Sequence, residues 1–506
     1  MRRIGFPNPS RQAMTSPGKI PSDSGRLLAS AAQGSAVLVG GRLAARAGAF
    51  VFFVLMTHLL PVGVVGSFAS AQAIGLVLYA FLDYGVGTLL TRDLATSDDD
   101  PASPLRAALR ARGITAVISL GVAMAAATAL SSRPSDLVLV WLAMLFDASS
   151  ALLLTGARRD RRLGRIVTTD VIRSWSAPAI LGGAWLAVAA SSPNVAGIDR
   201  LPYVSFVAAS ALSFGFALIR QWRFFRSEWA RPSRHRLTYG KEGLVVAAAA
   251  VAVGIHHRID LVLLKILDTP EAVASYAGAY TLLNGAFILP VLYSYILFPD
   301  LARLPTEGPA LREVIERATR MLATLGSLAG AVLASAPGTL LTALFGATYA
   351  RGGTALAVLA AAVPFVFVSN FFWNTLVSRK REMRVLAYIS VAALLNGLMN
   401  VLLIPHYSLV GAAAATLVAE VLVWVWSSRA LVSSGLPDAG VRVMIGTVAA
   451  ALVPAAVSLT IGDRIPQLFR AIAVFAVWYL SARLAGLIRA GEFRSTLGLS
   501  HRSSGS

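Results

Sequence analysis

Apolar runs of about twenty residues, each long enough to cross the hydrocarbon core of a bilayer, follow one another along almost the whole chain. Short clusters of Gly, Pro and charged residues separate them. The pattern predicts fourteen spanning helices, near residues 35–60, 65–90, 111–131, 135–157, 166–189, 201–220, 243–266, 275–299, 319–345, 353–378, 385–405, 409–430, 441–461 and 465–488. Residues 1–34 break it: polar and rich in Ser, Pro and Arg, they predict a disordered tail. The apolar run that follows exceeds a signal-peptide core, so a retained first helix is expected, with no cleavage.

Composition turns this pattern into a class. Of 506 residues 56% are hydrophobic and 14% charged, with mean hydropathy +0.68, far more apolar surface than one soluble core of this length buries. The chain is therefore expected to be an all-α polytopic membrane protein. Its formal charge of +20 would suggest nucleic acid in a soluble protein. Here the basic residues fall in alternate loops, and no nucleic-acid partner is expected. One set of loops holds Arg2, Arg3, Arg11, Lys19 and Arg26 of the tail, Arg92, Arg106, Arg110 and Arg112, then Arg158, Arg159, Arg161 and Arg162, and the run from Arg220 to Lys241. The other set offers only Arg133, Arg200, Arg351 and Arg464. The positive-inside rule then places both termini in the cytoplasm. Cysteine is absent, which excludes disulfides, thiol catalysis and Cys-ligated metals.

The chain does not read as an enzyme. The loops on the less basic side are short, whereas a membrane glycosyltransferase or polymerase needs room there for acceptor and catalytic acids. No Walker loop, dinucleotide glycine pattern or His/Glu zinc spacing occurs, so neither ATP hydrolysis nor a cofactor is implied. The acidic "SDDDP" from Ser97 to Pro101 reads as a solvated loop rather than a metal site.

Candidate chemistry lies in the charges inside the spans. At about 1.5 Å per residue, Arg46 falls near the midplane of the first span and Arg42 one turn nearer the cytoplasm, on the same face. Asp83 of "FLDYGVG" reaches the depth of Arg42, Asp147 lies midway along the fourth span, and Asp170 and Arg173 share a face of the fifth. The seventh contains "GIHHRIDLVLLKIL", Gly254 to Leu267, with His256, His257, Arg258 and Asp260 near mid-membrane. Here His256 and Asp260 are one turn apart and Arg258 projects from a different face. Glu420 of the twelfth span sits beside Trp424 and Trp426, and Asn396 and Asn400 stand one turn apart on the eleventh. A lone charge at this depth costs about 2.5–3.5 kcal/mol on insertion scales, so none should face lipid. Either these groups pair between helices and lock the bundle, or they line a polar cavity. The asparagines are expected to bridge helices. Arg42, Arg46, Asp83, Asp147, Arg173, His256, His257, Arg258, Asp260 and Glu420 are the candidate substrate-binding residues.

Several stretches resemble one family. "LLPVGVVGSFASAQAIGLVLYAFLDYGVGTLLTRDLA" (Leu59 to Ala95) is similar to the first hairpin of the O-antigen-type polysaccharide flippases of the multidrug/oligosaccharidyl-lipid/polysaccharide exporter superfamily. The likeness continues through "HHRIDLVLLKILDTPEAVASYAGAYTLLNGAFILPVLYSYILFPDLARL" (His256 to Leu304), which ends near an inner proline, Pro299. It extends over "LFGATYARGGTALAVLA", "SRKREM" and "LLNGLMNVLLIPHYSLVGAAAATLVAE", ending at Glu420.

The resemblance implies two six-helix bundles, 35–220 and 242–430, related by a pseudo-twofold along the membrane normal around a central cavity. A basic linker, 221–241, would join them, with two further helices over 441–488 and a cytoplasmic tail, 489–506. It also implies a cargo: an isoprenoid-(pyro)phosphate-linked oligosaccharide carried from inner to outer leaflet for polysaccharide export. A polymerase and glycosyltransferases of the same pathway would be partners, together with membrane lipids. A guanidinium fork suits phosphate oxygens, which singles out Arg42 and Arg46, with Arg258 or Arg173 opposite. Three other readings stay open: a lipid II-type flippase, a cation/drug antiporter of the same superfamily, and a non-transporting scaffold.

Overall fold

The computed structural model describes residues 22–87, 90, 102–130, 132–159, 163–191, 197–228, 240–305, 308–436, 441–461, 465–484 and 486–487. The first six long helices are α1 Ser22–Leu59, α2 Val62–Asp83, α3 Ala102–Ala129, α4 Pro134–Arg159, α5 Leu163–Ser191 and α6 Leu201–Glu228. The next are α7 Gly240–Leu267, α8 Pro270–Ala286, α9 Ile288–Arg303, α10 Pro309–Ser335, α11 Pro337–Phe345 and α12 Gly353–Ser378. They are followed by α13 Glu382–Val432, α14 Val441–Ile461 and α15 Gln467–Leu484. Eleven helices are long and apolar enough to cross a membrane, and the described residues contain no strand. The protein is an all-helical, multi-pass membrane protein.

Each predicted span finds its helix, with five differences. Helix α1 starts at Ser22, inside the stretch expected to be a disordered tail, of which residues 1–21 lie outside the described part. The eighth span begins at Pro270, where Thr269 caps the helix by accepting from the Ala272 amide at 3.3 Å, and the helix is interrupted at Phe287. The ninth span, expected to run unbroken to 345, stops at Ala336 (φ −147°, ψ 59°), because Pro337 opens a new helix, α11. A further departure is that α6 continues to Glu228, into the stretch expected as linker, of which 229–239 lie outside the described residues. So do "SDDDP" and the tail 489–506. The eleventh and twelfth spans form one 51-residue helix, α13, broken only where Ser408 takes φ 52°.

The packing repeats. In the first half, α1 lies on α5, α3 on α4, and α4 on α6. In the second, α7 lies on α13, α10 on α12, and α12 on α13. Helix α12 is the buried pillar of its half, with 89% of its most apolar window enclosed. It meets α10 at Gly330, where a Cβ would fall 2.5 Å from the Ala360 carbonyl oxygen, so the small residue permits near backbone contact. Helices α14 and α15 pack on each other and on α10, with the Trp478 indole donating to Ser327 Oγ at 3.0 Å.

The two halves meet where α2 packs against α7 and α8. At the end farthest from the basic loops the contact is tight: a Cβ on Gly66 would stand 1.9 Å from the Pro270 carbonyl oxygen. Lys265 of α7 also donates to Ser132 of the first half there. Gly66→Val is expected to force this seam apart. Because the chain has no native cysteine, a single cysteine at Met56, only 1% exposed beneath the seam, reports the change directly. A membrane-impermeant maleimide should modify it severalfold faster in the Gly66→Val background. An unchanged rate would mean that the seam is not what closes this end.

Candidate functional site

A cavity of about 630 Å³ opens between α1, α2, α4, α5 and α6 and is bounded on its second-half side by α7 and α8. Most of its lining on α1 is one stripe: Arg46, Phe50, Phe53 and Met56, spaced three or four residues apart and hence on one face, with Phe52 beside it. The fifth helix adds Asp170, Arg173 and Ala177 in the same way.

The stripes run from charged to aromatic. Towards the far end, Phe345 of α11 meets Phe53 and Phe50, with ring centroids 5.2 and 6.1 Å apart. Phe68 of α2 packs edge-on against Phe52, Tyr203 and Phe206 at 5.9, 5.2 and 5.9 Å. Phe50, Phe52, Phe53, Phe68 and Phe206 roof the cavity with apolar surface, backed by Phe345 from the second half.

Below the roof lies a belt of charge, Arg46, Asp147, Asp170, Arg173 and Arg258, three arginines against two aspartates. Arg173 Nη1 donates to Asp147 Oδ2 at 2.6 Å, which neutralises that pair within the first half. Arg46 and Arg258 are held differently. Arg46 Nη1 donates to the Asn284 backbone carbonyl at 2.9 Å, crossing from α1 to α8. Arg258 places its guanidinium carbon 5.1 Å from the centre of the Tyr280 ring, a cation–π contact that fixes it yet leaves its N–H groups available. Among the described residues neither meets a carboxylate within ion-pair distance. Gln72, Ser150, Thr169, Ser213 and Thr281 supply hydroxyl and amide groups around the belt.

Four of the ten candidates, Arg46, Asp147, Arg173 and Arg258, thus line one cavity. The other six lie elsewhere. Asp83 accepts from Arg112 Nη2 at 2.7 Å, and the same guanidinium donates to the Leu82 carbonyl. Arg42 is half-buried on α1 and is not part of the lining.

The remaining four cluster away from the cavity, His256, His257 and Asp260 on α7 and Glu420 on the neighbouring α13. His256 Nε2 is 3.2 Å from Glu420 Oε1, and Asn396 Nδ2 donates to the His256 carbonyl at 3.1 Å. Asp260 accepts from the Tyr276 hydroxyl at 2.7 Å and from the Leu261 amide at 2.8 Å. His257 is half-buried beside His256, with ring centroids 5.0 Å apart. Of "HHRID", then, only Arg258 lines the cavity. Asn396 bridges helices as its position suggested, whereas Asn400 donates back to Asn396 at 2.9 Å within α13.

Sequence reasoning passed over the roof and over Arg112. The roof was readable as a continuation of the Arg46 stripe at helical spacing. Arg112 stood at the edge of a predicted span, but α3 starts at Ala102, and its side chain is 4% exposed.

No family model matches the sequence, and no curated protein does. Solved structures do share the fold. Lipid II flippase MurJ in an inward closed conformation aligns over 91% of this chain and 99% of that chain, at 12% identity and TM-score 0.65. An inward-facing multidrug resistance MATE family transporter of the MOP superfamily aligns over 79% and 98%, at 12% identity and TM-score 0.55. A mutant form of the Vibrio cholerae MATE transporter VcmN aligns over 81% and 98%, at 12% identity and TM-score 0.51.

Proposed function

We propose that the protein is a flippase of the MOP superfamily that moves an isoprenoid-(pyro)phosphate-linked oligosaccharide from the inner to the outer leaflet by alternating access of the central cavity. The observation that carries this is the pair Arg46 and Arg258. They come from opposite halves, face one cavity, and have no carboxylate partner among the described residues. A guanidinium stays charged and presents a planar fork of donors, the shape and sign that phosphate oxygens require. The surrounding hydroxyl and amide groups suit sugar hydroxyls, and the isoprenoid tail stays in the bilayer.

On the positive-inside rule this reading puts the end opposite the Phe roof, and both termini, in the cytoplasm. In this arrangement the cavity takes cargo from the inner leaflet while the Gly66–Pro270 seam holds the outer end shut. A membrane potential negative inside favours outward movement of net negative charge by about 2.3 kcal/mol per charge per 100 mV. The 12% identical MurJ fold favours one neighbouring reading, a lipid II-type head group, which offers the same pyrophosphate chemistry.

The test is inner-to-outer transfer in proteoliposomes of three probes: a fluorescent isoprenoid-pyrophosphate-oligosaccharide, lipid II, and an organic cation. Transfer of the first at a rate well above that of the others is expected. Transfer of lipid II alone would move the assignment to that class. Uptake of the cation alone, driven by an ion gradient, would make the protein an antiporter that uses Asp147 and Asp170.

A further inference from the structure

The polar cluster of α7 and α13 is outside the cavity, and its chemistry is unlike that of the belt. One donor atom each from His256, His257 and Glu420 lies within 4.8 Å of the others, across the seam between α7 and α13. We propose that these three residues form a binding site for a divalent d-block cation of the Zn²⁺ class, in the second half of the protein and outside the cavity.

The geometry is close to what such an ion needs. With bonds of about 2.0–2.1 Å, neighbouring ligands of a tetrahedral site stand about 3.3 Å apart. His256 Nε2 and Glu420 Oε1 already stand at 3.2 Å. The His257 donor atom lies within 4.8 Å of both. His256, 5% exposed, uses one ring nitrogen on Glu420, while its Nδ1 is enclosed and has no hydrogen-bond partner among the described residues.

Donor type selects the class of ion. Two imidazole nitrogens and one carboxylate oxygen suit Zn²⁺, Co²⁺ or Ni²⁺, whereas Mg²⁺ and Ca²⁺ prefer a shell of oxygens. Charge also fits. Glu420 brings a carboxylate to the site, and Arg258 is turned away to the cavity over Tyr280. The frame is rigid on both sides, because Asn396 holds the His256 carbonyl and Asn400 holds Asn396. Three protein ligands leave one coordination position open.

The experiment uses full-length protein purified in detergent through a histidine-free tag, stripped with chelator, and titrated with ZnCl₂ and separately with CoCl₂. About one equivalent of Zn²⁺ is expected to remain after gel filtration, and Co²⁺ should show the visible absorption of a four-coordinate ion. His257→Gln should lose the bound equivalent. His406→Gln, altering an exposed histidine outside the cluster, should keep it. Glu420→Gln should weaken binding about tenfold or more. Excess NaCl should not displace the ion. The proposal is overturned if wild-type protein retains no Zn²⁺, if NaCl displaces it, or if His257→Gln, eluting and melting as wild type, retains it fully. Neither result touches transport, so the flippase reading stands or falls separately.

Discussion

Replacing Arg46 and Arg258 together by alanine is expected to abolish transfer of the isoprenoid-pyrophosphate-oligosaccharide while leaving the protein folded and inserted. Each arginine offers charge-assisted hydrogen bonds to the anion, worth about 1.5–3 kcal/mol apiece once water is excluded. At subsaturating cargo, either single substitution should therefore slow transfer by roughly 10–100-fold. The two act on one anion from opposite halves, so the double variant should fall below detection. Arg46→Lys keeps the charge and loses the fork, and should fall between wild type and Arg46→Ala. Exchanging the neighbouring pair, Asp147→Arg with Arg173→Asp, separates site from scaffold. A non-transporting scaffold tolerates the swap and both arginine losses alike. A cavity that grips phosphate does not tolerate loss of Arg46 and Arg258. Unchanged transfer in the double alanine variant, at matched protein level, would remove the phosphate site from this cavity.

The helices were legible because a spanning helix must satisfy its own backbone and carry about twenty apolar residues, and both demands are written locally. Even the break in α13 was expected as two spans, since Pro405 and the polar residues up to Ser408 interrupt the apolar run. What local pattern could not tell was partnership. Arg112 counted as a loop cation because nothing within its own helix neutralises it; its partner Asp83 lies 29 residues away on α2. Likewise Pro337 could continue a span with a kink or begin a new helix, and the tertiary position of Phe345 against α1 accompanies the second outcome.

The "HHRID" run shows the same limit within five residues. Helical geometry placed Arg258 on a different face from His256 and Asp260, and the structure has that separation. Which face looks into the cavity depends on what flanks α7. Helix α2 covers one side and α13 another, so polar groups on either face are shielded from lipid and satisfy the same insertion constraint. Composition cannot choose between two protein-covered faces. Only the assembled neighbours make Arg258 a cavity residue and Glu420 the partner of His256.

That partnership carries the second large effect. In chelator-treated protein, Glu420→Ala is expected to destabilise the second half by about 3–5 kcal/mol, because it leaves His256 buried without its charge partner. The side chains of the pair are 4% and 8% exposed, so little water can take over. Replacing both, as His256→Leu with Glu420→Leu, removes the uncompensated group and fills the space with apolar atoms, and should cost much less than either single change. A double-mutant cycle of thermal unfolding in detergent then yields a coupling energy well above the few tenths of a kcal/mol typical of independent sites. Additive single effects would mean that the contact holds nothing together. Transport by the folded double variant decides between the two readings of these buried charges. If it still moves cargo, the His256–Glu420 pair aligns α7 with α13 and cargo recognition rests with the arginines of the cavity. If it folds and is inactive while Arg46 and Arg258 are intact, movement of the second half itself depends on charge at this seam.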